Sequence, residues 1–231
     1  MIKTWLKDFQ NLIYPNLCIC CNQHLIKNEE FICFDCLINI PRTNFHLETN
    51  NPVEKLFWGR VNIEFATSYF YYNKGSIYQQ IMHLLKYKHL PEIGAVMGKH
   101  FGAELFHYNI FNNVDLIIPI PLHKKKLIKR GYNQSEAIAN GIGSILNIPI
   151  STNTLERIVN TNTQTRKSRF ERWENVEGIF KVPKIENINN RHILLIDDVV
   201  TTGSTLEAAA QALLDSHAKS VSIATLACAL I

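Results

Sequence analysis

The hydrophobic and polar positions change their period several times along the chain. Trp5, Leu6, Phe9, Leu12 and Ile13 recur at spacings that line one side of a helix, and the pattern stops at Pro15. Residues 14–41 carry a knot of cysteines. The polar stretch from Arg42 to Lys55 has the composition of a linker, which predicts a boundary near residue 50. Val61–Tyr72 is rich in β-branched and aromatic residues and predicts a strand; Ser76–Tyr87 and Glu92–His107 have helical periodicity. From Leu116 onward the two periods alternate. Strands are predicted at Leu116–Ile120, His192–Asp198 and Ser220–Ala227, with helices at Ser135 to about Leu146 and Leu206–Ser216. Such a succession implies an α/β unit, a parallel sheet flanked by helices over residues 51–231, preceded by a small module over residues 1–50. There is no fixed-period repeat and no low-complexity tract.

Composition sharpens this picture. With 46% hydrophobic and 19% charged residues, the chain has the make-up of an ordinary globular protein rather than a disordered or collagen-like one. No run approaches the ~18 consecutive apolar residues of a bilayer span, so membrane insertion is not expected. Lys7 and Asp8 interrupt what would be the apolar region of a secretory signal, so a cytoplasmic protein is expected. A net charge of +4 is too small to announce a nucleic-acid protein without clustering.

The cysteines are clustered. Cys18, Cys20, Cys21, Cys33 and Cys36 fall within the first forty residues, while Cys228 stands alone on an apolar strand as a core residue. Cys18-x-x-Cys21 and Cys33-x-x-Cys36 form two knuckles, each able to point both sulfurs at one tetrahedral Zn²⁺ of structural type. Cys20 reads as a spare thiol and His24 as a surface residue, although either type is able to replace an assigned ligand.

The most specific segment is LLIDDVVTTGSTL, Leu194–Leu206. A buried strand delivers Asp197 and Asp198 to its C-terminal end, where open parallel sheets bind ligands. Such carboxylates accept hydrogen bonds from vicinal hydroxyls or help to hold a hydrated Mg²⁺. Thr201, Thr202, Gly203, Ser204 and Thr205 follow, with a glycine for a sharp turn and convergent hydroxyl and N–H donors, and the next helix points its positive end at the same place. Taken alone, two acids ending a strand before a capped helix need mean no more than that. No Walker loop and no G-x-G-x-x-G after a strand competes with this reading. The segment resembles the phosphoribosyl pyrophosphate (PRPP) signature of type I phosphoribosyltransferases. The resemblance implies that Asp197 and Asp198 take the ribose 2′ and 3′ hydroxyls and residues 201–205 the 5-phosphate.

A pyrophosphate needs a second anion site. After the Leu116–Ile120 strand, at the same sheet edge, come Lys124, Lys125, Lys126, Lys129 and Arg130, which in isolation would read as a solvated basic loop. A long polar segment, Leu155–Phe180, carries Gln164 and Arg172 together with Phe170 and Trp173, and reads as a lid, the alternative being a flexible surface excursion with no role. In that lid Arg172, with Gln164, is the catalytic candidate, opposing charge that grows as the bond from C1 to pyrophosphate breaks.

The order of these pieces is similar to that of the ComF family: Gly131-Tyr132-Asn133-Gln134, then Gln164, Arg172-Trp173-Glu174-Asn175-Val176, Gly178-Ile179-Phe180 and IDDVVTTGST, with Tyr72 and Lys86-Tyr87 upstream. Asn22 stands where the family usually has glycine, and Asn tolerates the left-handed turn needed there. The resemblance implies a phosphoribosyltransferase-like domain in a cytosolic protein of natural competence, with Mg-PRPP as ligand and single-stranded DNA and other competence proteins as partners. Two rival readings are a conventional phosphoribosyltransferase acting on a small amine or base, and a PRPP sensor without turnover.

Overall fold

The computed structural model describes residues 16–159 and 178–229; the opening amphipathic segment, Gln164 and Arg172 lie outside them. In chain order the strands are β1 (Phe65–Tyr71), β2 (Leu116–Pro119), β3 (Glu156–Arg157), β4 (Phe180–Lys181), β5 (His192–Val200) and β6 (Ser220–Cys228). The helices are α1 (Phe34–Ile38), α2 (Pro52–Lys55), α3 (Gln79–Tyr87), α4 (Pro91–His107), α5 (Lys124–Arg130), α6 (Gln134–Leu146) and α7 (Ser204–Asp215). Among the described residues no helix is long and apolar enough to cross a membrane.

Four strands form one parallel sheet in the order β1-β6-β5-β2, with β5 in the interior and Pro119 of β2 opposite Ile196. Side chains alternate along a strand, and here both faces are covered. Leu194 and Ile196 of β5 and Leu226 of β6 meet Met97, Phe101, Ile138 and Ile142 of α4 and α6. Ile193, Leu195, Val221 and Ile223 turn the other way, onto Leu206, Ala209, Ala210 and Leu213 of α7. The sheet therefore carries helices on both faces, as the αβ succession implies.

Two glycines let α4 and α6 approach closely. A Cβ on Gly98 would stand 2.3 Å from the Ile138 carbonyl oxygen, and one on Gly141 would stand 2.2 Å from that of Ala95. Gly94, Gly98 and Gly102 repeat every four residues and so lie along one stripe of α4.

The cysteine module shares this core. Cys18, Cys20, Ile32, Cys33, Cys36 and Ile40 belong to the same buried cluster as Tyr78, Ile81 and Leu85. Between the module and β1, residues 42–55 do not behave as the linker their composition predicts. Arg42 bridges to Phe70 in antiparallel fashion, Thr43 N–H donates to the Tyr69 carbonyl at 3.0 Å and Tyr71 N–H donates to that of Pro41 at 2.8 Å, so residues 41–43 cover the outer edge of β1. Asn51, 1% exposed, donates to the Ala66 carbonyl at 2.8 Å and accepts from Val53 N–H at 2.9 Å as the N-cap of α2. Polar residues in this stretch are turned inward as caps and edge covers, which a composition count cannot separate from solvation.

The run Lys124–Arg130 also departs from expectation, forming a seven-residue helix rather than a loop. His123 Nδ1 accepts from Lys125 N–H at 3.3 Å at its start, and Gly131, in the left-handed region at φ 75°, ends it. None of its side chains is buried, so no apolar periodicity announces it.

Candidate functional site

β5 carries the acid pair past the end of β2. Asp197 Oδ1 accepts from Ser135 Oγ at 2.8 Å and from Asp198 N–H at 2.9 Å, and Asp198 Oδ2 lies 3.3 Å from Lys86 Nζ at the end of α3. Burial, then the charge of Asp198, push the Asp197 carboxyl up to about 7, against the opposing pull of Ser135 and Lys86. Arg157 of β3 lies within electrostatic reach of Asp197. Lys126 is lowered by burial and by the neighbouring charges of Arg157, Arg130 and Lys86. Lys86 and Arg157 thus stand beside the two carboxylates, and Lys126 and Arg130 add their charges next to these cations, an arrangement suited to a ligand that is both polyanionic and rich in hydroxyls. Arg130 and Lys126 stand one helical turn apart and are only partly exposed, whereas Lys124, Lys125 and Lys129 are exposed. Arg130 Nη1 donates to Gln134 Oε1 at 2.6 Å, and Gln134 is itself buried. β3 pairs antiparallel with β4, Arg157 opposite Phe180, which brings the two ends of the intervening segment together.

Beyond Asp198 the chain turns through Thr201–Thr205 into α7. Gly203 adopts φ 74°, and a Cβ there would also lie 3.1 Å from the buried ring of Phe57. Among the described residues no side chain caps α7, so the N–H groups of its first turn have neither intrahelical nor side-chain acceptors there. Asp197 and residues 199–206 line a hollow of about 50 Å³ at this place. Backbone donors, flanking hydroxyls and the positive end of a twelve-residue helix together make an anion cradle.

Nothing in the sequence around Arg60 marks it as part of a site. Its guanidinium reaches the cradle from behind, donating to the Thr202 carbonyl at 3.0 Å. Ser135 and Arg157 are likewise invisible to sequence, because their partners lie far along the chain and no local spacing marks them.

In the N-terminal module, the Sγ atoms of Cys18, Cys21, Cys33 and Cys36 all lie within 4.8 Å of one another. A tetrahedron of ~2.3 Å Zn–S bonds has edges of about 3.8 Å. Cys21 Sγ and Cys33 Sγ stand 3.7 Å apart, so the four residues fit such an ion. Burial tends to raise Cys18, yet hydrogen bonds from the backbone at Cys21, Cys33 and Cys20 outweigh it and bring the thiol down to about 7. Cys33 and Cys36 are pushed up, first by burial and then by neighbouring sulfurs. Cys18 is thus disposed to ionise while Cys33 and Cys36 resist it, and a bound cation would favour the thiolates of these two. Asn22 sits at φ 60°, the left-handed turn required after the first knuckle. Among the described residues, Cys20 and His24 stay outside the cluster. Cys20 is buried and raised to about 12 by burial and nearby sulfurs, and His24 is exposed.

The family model for the phosphoribosyl transferase domain matches residues 132–229, from Tyr132 beside the basic helix to the end of β6. The acid pair, the cradle, β5 and β6 thus lie within the stretch that matches the phosphoribosyl transferase domain. The DNA utilization protein YhgH of Escherichia coli strain K12 is 27% identical over 228 residues, covering 92% of this chain and 96% of that protein. Competence protein F of Haemophilus influenzae is 37% identical over 93 residues, 40% of this chain and 41% of its own length. Competence protein ComFC of Bacillus subtilis is 36% identical over 112 residues, 48% and 43% of the two chains. The glutamine PRPP amidotransferase of B. subtilis, solved with ADP and GMP, overlaps 58% of this chain and 26% of its own at 17% identity and a TM-score of 0.42. Over these stretches the chain is similar to proteins named for competence and DNA utilization.

Proposed function

We propose that this protein binds Mg-PRPP across the C-terminal ends of β5 and β2 and serves natural competence, in the handling of single-stranded DNA. The observation that carries the reading is the convergence, at one sheet edge, of the Asp197–Asp198 pair, the uncapped cradle of residues 201–205 and the cations Lys86, Lys126, Arg130 and Arg157. In this reading the two carboxylates accept from the ribose 2′ and 3′ hydroxyls, and Thr201, Thr202, Gly203, Ser204 and Thr205 bind the 5-phosphate. Lys126 and Arg130 of α5 face the pyrophosphate, flanked by Lys124 and Lys125. Mg²⁺, when bound, neutralises pyrophosphate charge. Cys18, Cys21, Cys33 and Cys36 hold a structural Zn²⁺ that cross-links the N-terminal module. The names of the relatives, which speak of competence and DNA utilization, support the biological role.

Calorimetric titration tests the core of this proposal. The wild-type protein is expected to take up one equivalent of PRPP in the presence of Mg²⁺, and the Asp197→Asn/Asp198→Asn double variant to bind it roughly tenfold or more weakly, because charge-assisted hydrogen bonds to the hydroxyls are lost. Equal affinity in the two proteins would remove the acid pair from the site. Release of pyrophosphate on adding a candidate amine or base would extend the function to phosphoribosyl transfer, for which Gln164 and Arg172 are the residues to substitute.

A further inference from the structure

Arg60 follows α2 in the stretch that leads into β1, and it holds the anion cradle by its outer side. Nη1 donates to the carbonyl oxygens of Leu56 at 2.9 Å and Thr202 at 3.0 Å; Nη2 lies 3.4 Å from Ser204 Oγ and pairs with the Glu207 carboxylate. The Thr202 carbonyl belongs to the peptide that enters Gly203, the residue at φ 74°. In a trans peptide the C=O and N–H point in opposite directions. Anchoring the Thr202 oxygen on Arg60 therefore aims the Gly203 N–H away from Arg60. Phe57, fully buried, closes on Gly203 within the same few residues of chain.

Glu207 gives the pairing a second consequence. It lies in the first turn of α7, where its charge would oppose an incoming anion, and Arg60 neutralises it. A planar guanidinium spans two carbonyls and a carboxylate at once, whereas an ammonium acts as a point charge and cannot hold all three in one geometry. We infer that Arg60 is a positioning residue: it fixes the Thr202–Gly203 peptide so that the N–H donors of the cradle are aligned before a 5-phosphate arrives. Glycine opposes this order when left alone, since it populates both signs of φ with little preference.

This inference rests on the Mg-PRPP reading, and the experiment separates the two. Calorimetry with three probes, Mg-PRPP, ribose 5-phosphate and Mg-pyrophosphate, is run on the wild type, Arg60→Ala, Arg60→Lys and Arg60→Ala/Glu207→Gln. Arg60→Ala is expected to weaken the two ligands that carry a 5-phosphate by roughly tenfold while leaving Mg-pyrophosphate unchanged. Arg60→Lys should fall in between, and it is the variant to read if Arg60→Ala does not fold. The double variant should stay weak, because removing the Glu207 charge does not restore the anchor. Recovery of affinity in the double variant would reduce Arg60 to charge cancellation and overturn the positioning role. So would an equal loss for all three probes, or no loss at all while the wild type binds Mg-PRPP. A wild type that binds no Mg-PRPP would overturn the ligand reading itself, and this inference with it.

Discussion

Asp197 is held in two incompatible ways. It accepts two hydrogen bonds that favour its charge, yet burial and Asp198 disfavour that charge more strongly, raising its pKa to about 7. A carboxyl raised in the folded state contributes stability in full below its unfolded pKa near 4, and that contribution is lost as pH rises through about 7. Asp197→Asn, whose amide oxygen still accepts from Ser135, is therefore expected to gain on the wild type as pH increases, by roughly 0.5–2 kcal/mol at pH 8, the usual size of a gain from relieving a functional site. Thermal melts of the two proteins at pH 5.5 and pH 8 check this; an offset independent of pH would show that Asp197 is not strained. The acid pair is legible in the sequence because Asp197, Asp198 and Gly203 are close neighbours on one strand and turn. The four cysteines are legible for the same reason, as two local pairs. Arg60 is not, since its loop partner Thr202 lies 142 positions away and its own surroundings carry no pattern.

At the scale of elements, the strands of the sheet and their flanking helices follow from periodicity, whereas what joins them does not. Thr43 and Asn51 look like solvated linker residues until their partners on β1 are known. Glycine ordinarily weakens a helix, yet Gly98 and Gly141 let α4 and α6 approach closely. Gly141→Ala drives a methyl group into a backbone oxygen rather than a side chain able to rotate aside. It is expected to cost about 1–3 kcal/mol or more, read as a lowered urea midpoint at unchanged slope. A midpoint equal to that of the wild type would mean that the two helices separate without penalty.

Helix α5 makes a different prediction, because it divides its cations between two directions. Lys126 and Arg130 are partly buried, Lys126 within reach of the charges of Arg157 and Lys86, while Lys124 and Lys125 remain exposed. Lys126→Ala/Arg130→Ala is expected to weaken Mg-PRPP at least tenfold and to leave single-stranded DNA binding largely intact. Lys124→Ala/Lys125→Ala should do the reverse and lower the salt dependence of DNA binding by about 1.4, near 0.7 for each DNA phosphate that is no longer neutralised. Fluorescence titrations at two salt concentrations distinguish the pairs. If both double variants act alike on both ligands, the helix has a single face.

In the molecule as a whole, the cysteine module and the α/β unit share one buried cluster, and the chain between them is bonded along its length to β1 and to the underside of the cradle. A metal in the module therefore bears on more than local folding. Residues 41–43 leave the module and lie along the outer edge of β1, the end strand of the sheet, where they occupy carbonyl and N–H groups that an open edge would present to other chains. Chelation, or Cys33→Ser, is expected to loosen the module and peel this cover away. Edge strands without a cover add further strands, so the stripped protein should self-associate, with light scattering that grows in time and is prevented by restoring zinc to the wild type but not to the variant. A stripped wild type that remains monomeric would show that the cover stands without the metal. Should stripping bring on self-association, two tight CxxC turns would be what guards the protein against polymerising through its own sheet.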